Sequence, residues 1–518
     1  MRKRSRLAPI TATCCALLAS AACTINPVTG ERQLALISAE DEVAIGSGQY
    51  LPSQQMQGGE YRRDPALSQY VRDVGSRLAA VSDRALPYEF VIINSSVPNA
   101  WALPGGKIAV NRGLLVELGS EAELAAVIGH EIVHAAARHG AQAMQRGMLL
   151  QGAVLIASAA TRDRDYSGLA VGAAGLGAQL INMRHGREAE LEADVYGMRY
   201  MSRAGYDPRA AVELQQTFVR LSQNRDDRGW LAGLFASHPP SAERVDANRA
   251  TAQTLPAAGT LGRDAYARAT ASLRRDLPGY EALDRASEAL AAGDPELARR
   301  EATSAAELLR DEAQAEALLG DIEMAANRPG RALGHYDQAL SLNDRFFYYQ
   351  LAKGHAHLAF EQIGAAETAY RASLALLPTA DAYLGLGRIA ERRGDRNTAI
   401  QEYSRAAESE GAAGAEARRA LVRLDLPENP ERYLALASTL DSGGLLVVRI
   451  ENRTEFEVGS IQLVVGYIEG DRARLARRLL EGTLAPGATR THATSLGPFA
   501  PGTGYEVSIE RAEVIERQ

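Results

Sequence analysis

His130-Glu131-Ile132-Val133-His134 is the stretch whose residue types and spacing could most directly do chemistry. On a helix the two histidines sit at i and i+4, so both imidazoles leave one face a turn apart and can share a metal ion. Glu131 lies between them, suited to take a proton from water activated at that metal rather than to bind it. Ser120-Glu121-Ala122-Glu123 reads as a capping box, and Leu124, Val127 and Ile128 form an apolar face behind it, so a helix start is signalled at the right distance upstream.

A four-coordinate catalytic zinc needs a third protein ligand. The acidic run Arg187-Glu188-Ala189-Glu190-Leu191-Glu192-Ala193-Asp194 offers one. Glu190 and Asp194 are spaced i, i+4, so one carboxylate can bind the metal while the other orients a ligand histidine through its second ring nitrogen. Glu188 and Glu192 have the same spacing, and spacing alone does not choose between the pairs.

His130–His139, reading HEIVHAAARH, followed by Glu190-x-x-x-Asp194, resembles the HtpX-like and prenyl-protease-type zinc metallopeptidases, with the nearest likeness to the periplasmic BepA-like members. The likeness runs from Asn26-Pro27-Val28-Thr29-Gly30 to about Arg249. It implies one zinc per chain, held by His130, His134 and Glu190, with Asp194 behind a ligand and Glu131 as the base. Arg187 matches the arginine ahead of the acidic motif, but Gly186 stands where a serine is usual. His238-Pro239-Pro240-Ser241-Ala242-Glu243-Arg244 fits the family's HPxxxxR element. The resemblance places His238 and Arg244 over the metal, stabilising the tetrahedral intermediate or, for His238, capping the zinc at rest. His139 reads as a structural hydrogen-bonding residue pointing away from the metal face, and His185 as incidental.

The elements that must position these groups are helices and a small sheet. Tyr88–Asn94 and Lys107–Asn111 read as strands, the second opened by Pro104-Gly105-Gly106. Relatives place an edge there that pairs with extended substrate, a mode that reads backbone rather than side chains. Met148–Ala160 and Ser167–Asn182 are rich in Ala, Gly and Leu but shorter than the ~20 residues that span a bilayer.

Arg2, Lys3, Arg4 and Arg6 precede an apolar stretch, Leu7–Ala22, that ends at Cys23, the pattern of a bacterial secretory signal. Ser20-Ala21-Ala22-Cys23 resembles a lipoprotein processing site, although Ser20 replaces the usual leucine. Of 3 cysteines, Cys14 and Cys15 fall inside the signal, which leaves Cys23 as a lipid attachment point with no disulfide to make. Thr24 after it favours the outer membrane of a Gram-negative cell.

At 518 residues the chain is too long for one core. Its net charge of -7 gives no nucleic-acid footprint. Beyond about residue 275 the composition shifts to Ala, Leu, Glu and Arg, and Ala298, Ala332, Ala366 and Ala399 recur every 33 or 34 residues. Tyr336, Tyr370 and Tyr403 follow four residues after the last three, and Gly320, Gly354 and Gly387 lie twelve ahead of them. This resembles a tetratricopeptide array, in which small residues let paired helices cross closely. Near the C-terminus, Leu445–Ile450, Ile461–Ile468, Thr489–Thr494 and Tyr505–Ile509 read as strands separated by Gly and Pro.

The expected architecture is therefore multidomain. A lipoprotein signal occupies 1–23 and a mostly helical α+β metalloprotease domain with a small sheet occupies 24–270. About four repeats of an α-solenoid with a capping helix span 279–425, and a small β-sandwich spans 432–518. The resemblance implies a membrane-anchored periplasmic zinc endopeptidase acting on misfolded or immature envelope proteins. The repeat groove would hold substrate or outer-membrane assembly machinery, and the lipid anchor would meet the outer membrane. The alternative is a repeat-based chaperone or adaptor whose protease domain is largely autoinhibited.

Overall fold

The computed structural model describes residues 23–148, 185–223, 238–469, 472–500 and 503–515. The signal segment ahead of Cys23, Met148–Ala160 beyond its first residue, and the whole of Ser167–Asn182 therefore lie outside the described residues. None of the described helices is long and apolar enough to cross a membrane. The chain divides into two compact units, one running to Phe360 and the other holding most of the residues beyond it.

In the first unit a short hairpin, β1 (Cys23–Ile25) with β2 (Arg32–Leu34), precedes helices α1 (Ala39–Met56) and α2 (Pro65–Ala79). The sheet has three strands, β3 (Glu89–Ile93), β4 (Ala100–Leu103) and β5 (Lys107–Asn111), in the order β3-β5-β4. Two of these were legible. The third, Ala-Trp-Ala-Leu, is too short and too poor in β-branched residues to announce itself. β5 pairs parallel with β3 and antiparallel with β4, so β4 forms one edge.

After a short helix, α3 (Arg112–Glu117), comes α4 (Glu121–Ala136), which carries both motif histidines. Ser120 caps it, its hydroxyl accepting from Glu123 N at 3.2 Å, while the Glu123 carboxylate accepts from Gly119 N at 2.7 Å. That is the expected box with its return bond shifted back one residue. Every residue of α4 is buried, so it is the central helix of the unit rather than a one-sided surface helix. Packed on it are α5 (Arg187–Arg203), α6 (Arg209–Gln223) and, beyond α7 (Ala242–Thr254), which packs on α5 and α6, α8 (Arg263–Ala269).

The repeats begin as helix pairs α9 (Ala271–Ala291) with α10 (Pro295–Leu308) and α11 (Ala313–Ala325) with α12 (Pro329–Leu342). The expected boundary between 270 and 279 does not fall in a gap. One apolar cluster runs from Val28 through α4 to Tyr280, Ala298, Ala305 and Ile322. A buried polar knot closes the join. Glu312 accepts from Asn94 Nδ2 at 3.1 Å and from the Tyr280 hydroxyl at 2.8 Å. Arg112 lies over the Tyr280 ring, 3.5 Å from its centre, and donates to Asn94 Oδ1. Helix α13 (Phe347–Ala359) ends this unit.

The second unit holds α14 (Ile363–Leu376), α15 (Ala380–Arg392), α16 (Arg396–Ala407) and the capping helix α17 (Ala412–Asp425). The repeat register is that read from the sequence: Ala298, Ala332, Ala366 and Ala399 are all fully buried. Gly320 makes room for the Tyr336 ring and Gly387 for that of Tyr403, while Tyr370 packs on Gly385 instead. Beyond α17 lie two three-stranded antiparallel sheets. One is β10-β7-β6 (Thr489–Ala493, Leu446–Asn452, Leu434–Leu440) and the other β11-β8-β9 (Tyr505–Val514, Val458–Glu469, Arg472–Leu479). Leu434, Val448 and Ile450 of the first share a buried cluster with Leu463 and Ile509 of the second, as two facing layers require. β6 and β9 were not legible: Arg-Ala-Arg-Leu-Ala-Arg-Arg-Leu has helix-former composition, and its Leu475 and Leu479 stand exposed.

Candidate metal centre

Helices α4 and α5 cross at a pair of glycines. A Cβ on Gly197 would lie 3.1 Å from His130 N, and one on Gly129 would lie 3.2 Å from Gly197 O. Without side chains at the crossing the two helices approach closely, which carries the acidic motif of α5 to the histidines of α4. Neither glycine was singled out in the sequence, because a lone helical glycine carries no periodic signal.

The result is a compact donor set. His130 Nε2 and His134 Nε2 are 3.0 Å apart, and His130 Nε2 and His238 Nδ1 are 3.3 Å apart. The Glu190 carboxylate lies 3.5 Å from His130 Nε2, 3.4 Å from His134 Nε2 and 3.1 Å from His238 Nδ1. All four residues are buried, and their donor atoms lie within 4.8 Å of one another. Zinc bonds of about 2.0–2.1 Å in a tetrahedron put ligand atoms roughly 3.3 Å apart, so this three-imidazole, one-carboxylate set fits zinc in both spacing and chemistry. Of the two pairs that spacing left open, the structure brings Glu190 inward beside the histidines, while Glu188 is exposed and Glu192 half-buried to one side.

Three of the four donors are held from behind. His130 Nδ1 lies 2.9 Å from Asp194 Oδ1, the arrangement that fixes the tautomer and aims Nε2 at a metal. Asp194 in turn accepts from Arg244 Nε at 2.7 Å and Nη2 at 2.8 Å. Arg244 Nη1 reaches Glu190 Oε2 at 3.0 Å and Pro239 O at 3.3 Å. Arg244, expected over the metal to meet an oxyanion, is thus committed to two carboxylates and a carbonyl. On the other side His134 Nδ1 meets His139 Nδ1 at 2.8 Å. His139 Nε2 lies 3.4 Å from Glu192 Oε1, to which Asn26 Nδ2 donates at 2.9 Å. The Asn26 segment and the acidic helix so meet behind the second ligand. His185, read as incidental, stacks on the His134 ring with centres 4.0 Å apart and 19° between planes.

The electrostatics follow from burial and pairing. Burial raises the Glu131 carboxyl, partly offset by His238 and His130, and Glu131 Oε1 lies 3.5 Å from His238 Nε2. Burial acts the same way on Glu190, but His238, His130 and His134 outweigh it and hold that carboxyl well below the usual range. Asp194 is likewise lowered against its burial, by Arg244 and His130. Burial lowers His134, and His185 adds to that. His130 is instead raised against its burial, to about 10, by Asp194 and Glu190, and a carboxylate held anionic beside a base whose carboxyl burial raises is the pairing a hydrolytic metal site uses.

Residues 65–252 match the model of Peptidase family M48. A putative beta-barrel assembly-enhancing protease of Vibrio cholerae is 31% identical over 37% of this chain and 40% of its own length. The beta-barrel assembly-enhancing protease of Escherichia coli is 29% identical over 41% of this chain and 47% of its own. The mitochondrial metalloendopeptidase OMA1 of Schizosaccharomyces pombe is 34% identical over 34% of this chain and 50% of its own. The chain thus spans half or less of the length of these relatives.

Proposed function

We propose, from the match of residues 65–252 to the model of Peptidase family M48, that the protein is a zinc-dependent endopeptidase of the periplasm that cleaves misfolded or immature outer-membrane proteins. The observation that carries this reading is the buried convergence of His130 Nε2, His134 Nε2 and Glu190 beside Glu131. When bound, zinc supplies a Lewis acid that brings the pKa of water towards neutrality and polarises a carbonyl. Glu131 takes the water's proton and delivers it to the leaving amine, a task its raised carboxyl suits. Asp194 and His139 hold the two ligand imidazoles in register, and Arg244 holds Asp194 and Glu190. Extended substrate pairs along the edge strand Ala100–Leu103, whose Ala100 lines the cavity at the metal centre. The anchor is lipid on Cys23, and the repeats hold the substrate or a partner in outer-membrane assembly.

A second reading is favoured by one observation: His238 Nδ1 stands among the donors, so with zinc bound the four protein groups would fill a four-coordinate site and leave no position for water. In that state the chain is a repeat-based adaptor with its protease shut until His238 moves. His238→Ala separates the two roles. A cap predicts higher basal cleavage, whereas a transition-state group predicts a lower kcat with zinc retained.

The test is the full chain incubated with a denatured β-barrel protein, with and without chelator, and followed by mass spectrometry. New termini that vanish with chelator and return with zinc are expected. An intact substrate at full zinc occupancy would favour the adaptor.

A further inference from the structure

Neither Glu192 nor Asn26 is among the metal donors, yet both reach one of them through His139. The line runs from His134 Nδ1 to His139 Nδ1 at 2.8 Å, from His139 Nε2 to Glu192 Oε1 at 3.4 Å, and from Glu192 Oε1 to Asn26 Nδ2 at 2.9 Å. Asn26 and His139 are buried and Glu192 is half-buried. A break in the backbone makes the first step. Arg138 has a φ of 67°, in the left-handed region that a residue with a side chain adopts only where its surroundings hold it. Its guanidinium is held by Glu42 Oε1 at 2.9 Å and Ile37 O at 2.5 Å. The turn at Arg138 brings His139 back against His134, where an unbroken helix would carry it round to another face.

Metal binding sets the direction of this line. A histidine that gives Nε2 to a metal carries its proton on Nδ1. His134 Nδ1 is therefore the donor in the 2.8 Å contact and His139 Nδ1 the acceptor. A proton on both nitrogens of His139 would put two hydrogens into that gap, so with His134 on the metal His139 carries its proton on Nε2, facing Glu192. Glu192 Oε1 then accepts twice, from His139 and from Asn26. The Asn26 amide is oriented by its own turn: its Oδ1 accepts from Val28 N at 2.9 Å and from Thr29 N at 3.4 Å, which leaves Nδ2 for Glu192. Each nitrogen along the line thus has one role.

We propose that Asn26 and Glu192 are positioning residues of the metal centre, which hold His139, and through it the His134 imidazole, in the tautomer and orientation that present Nε2 to the metal. The inference rests on the zinc reading of the site and not on what the protein cleaves. Helix α5 then supplies three carboxylates with three tasks: Glu190 in the donor set, Asp194 directly behind His130, and Glu192 behind His134 through one further imidazole. The stretch that follows Cys23 is likewise part of the metal centre rather than a linker, since Asn26 stands three residues beyond that cysteine.

The experiment measures the zinc affinity of the full chain by chelator competition, beside the urea midpoint of the zinc-free protein. Asn26→Ser keeps a short acceptor for the turn but does not reach Glu192, and Glu192→Ala removes the acceptor that His139 meets. Each should lower zinc affinity by about 10-fold or more while the zinc-free midpoint holds. Glu192→Gln, which keeps an acceptor, should restore most of what Glu192→Ala loses. In a His139→Ala background neither Asn26→Ser nor Glu192→Ala should lower affinity further, because the line is already cut. Unchanged affinity in both single variants overturns the proposal, and a lower zinc-free midpoint alongside it would show that the two residues only brace the fold. Losses that add in full to that of His139→Ala, or a loss in Glu192→Gln as deep as in Glu192→Ala, overturn it too. If the variants lose affinity as expected while the unaltered chain cleaves no peptide, the peptidase reading falls and the positioning role stands. If the unaltered chain binds no zinc, both fall.

Discussion

The metal centre and the repeat array solve one packing problem with opposite materials. Both bring helices close by means of glycine, Gly129 against Gly197 at the metal centre and Gly320 or Gly387 in the repeats. At the metal centre the space so gained is filled with charge: His130, His134, Glu190, Asp194, His238 and Arg244 are all buried and bound to one another. In the repeats it is filled with tyrosine rings and alanine methyls. Buried charge adds little stability over apolar packing and is sensitive to the loss of any partner, whereas the repeats depend mainly on shape. A substitution in one region should therefore read out in metal binding, and in the other in folding.

The largest effect is expected from Glu190→Ala, which removes the one anionic donor. Zinc affinity, measured by competition with a chromophoric chelator, should fall by more than the ~10–100-fold typical of a residue behind a ligand. Full affinity in Glu190→Ala, with loss in Glu192→Ala or Glu188→Ala, would reassign the ligand.

Next comes Asp194→Asn, which leaves His130 a partner but weakens the charge behind it and strands part of Arg244. A loss of ~10–100-fold in zinc affinity is expected, with the repeats melting as before. An unchanged affinity would mean that His130 needs no help in presenting Nε2.

The counterpart in the array is Gly320→Ala. Its Cβ would lie 2.5 Å from Tyr336 Cε1, an overpacking worth about 1–3 kcal/mol, read as a lower urea midpoint with zinc affinity untouched. If affinity fell with stability, the two regions would not be separable in the way proposed.

The smallest effect is a pH-dependent one at Asp321, which accepts from the Tyr336 hydroxyl at 2.7 Å. Burial raises its carboxyl above the ordinary value, against the lowering by Tyr336 and Tyr348. Folding therefore gains from the proton fully below the ordinary carboxylate range, and that gain is lost as pH rises through the raised value. Asp321→Asn keeps an acceptor and drops the charge, so it should raise the urea midpoint at pH 8 and leave it little changed near pH 3. A lower midpoint at pH 8 would show that the carboxylate is stabilising.

The two regions were also legible for different reasons. His130, Glu131 and His134 were readable because metal chemistry restricts residue type and spacing within one helix. The repeats were readable because a 33- or 34-residue period needs no knowledge of contacts. The features that stayed hidden depend on approach in space. The Gly129–Gly197 crossing, the Asn26–Glu192–His139 chain and the ring of His185 against His134 all join residues far apart in sequence or lacking a periodic signature. The join at Glu312, Asn94 and Tyr280 was hidden likewise, and it ties the first repeats to the catalytic core where composition suggested a boundary.

The central claim is that Glu131 acts as the base at a metal it does not bind, and Glu131→Gln tests it most directly when zinc content and peptide cleavage are measured on the same preparation. The account predicts one zinc per chain and cleavage reduced by roughly 10²–10⁴-fold. Cleavage at the unaltered rate with zinc in place, or zinc lost along with activity, would contradict it.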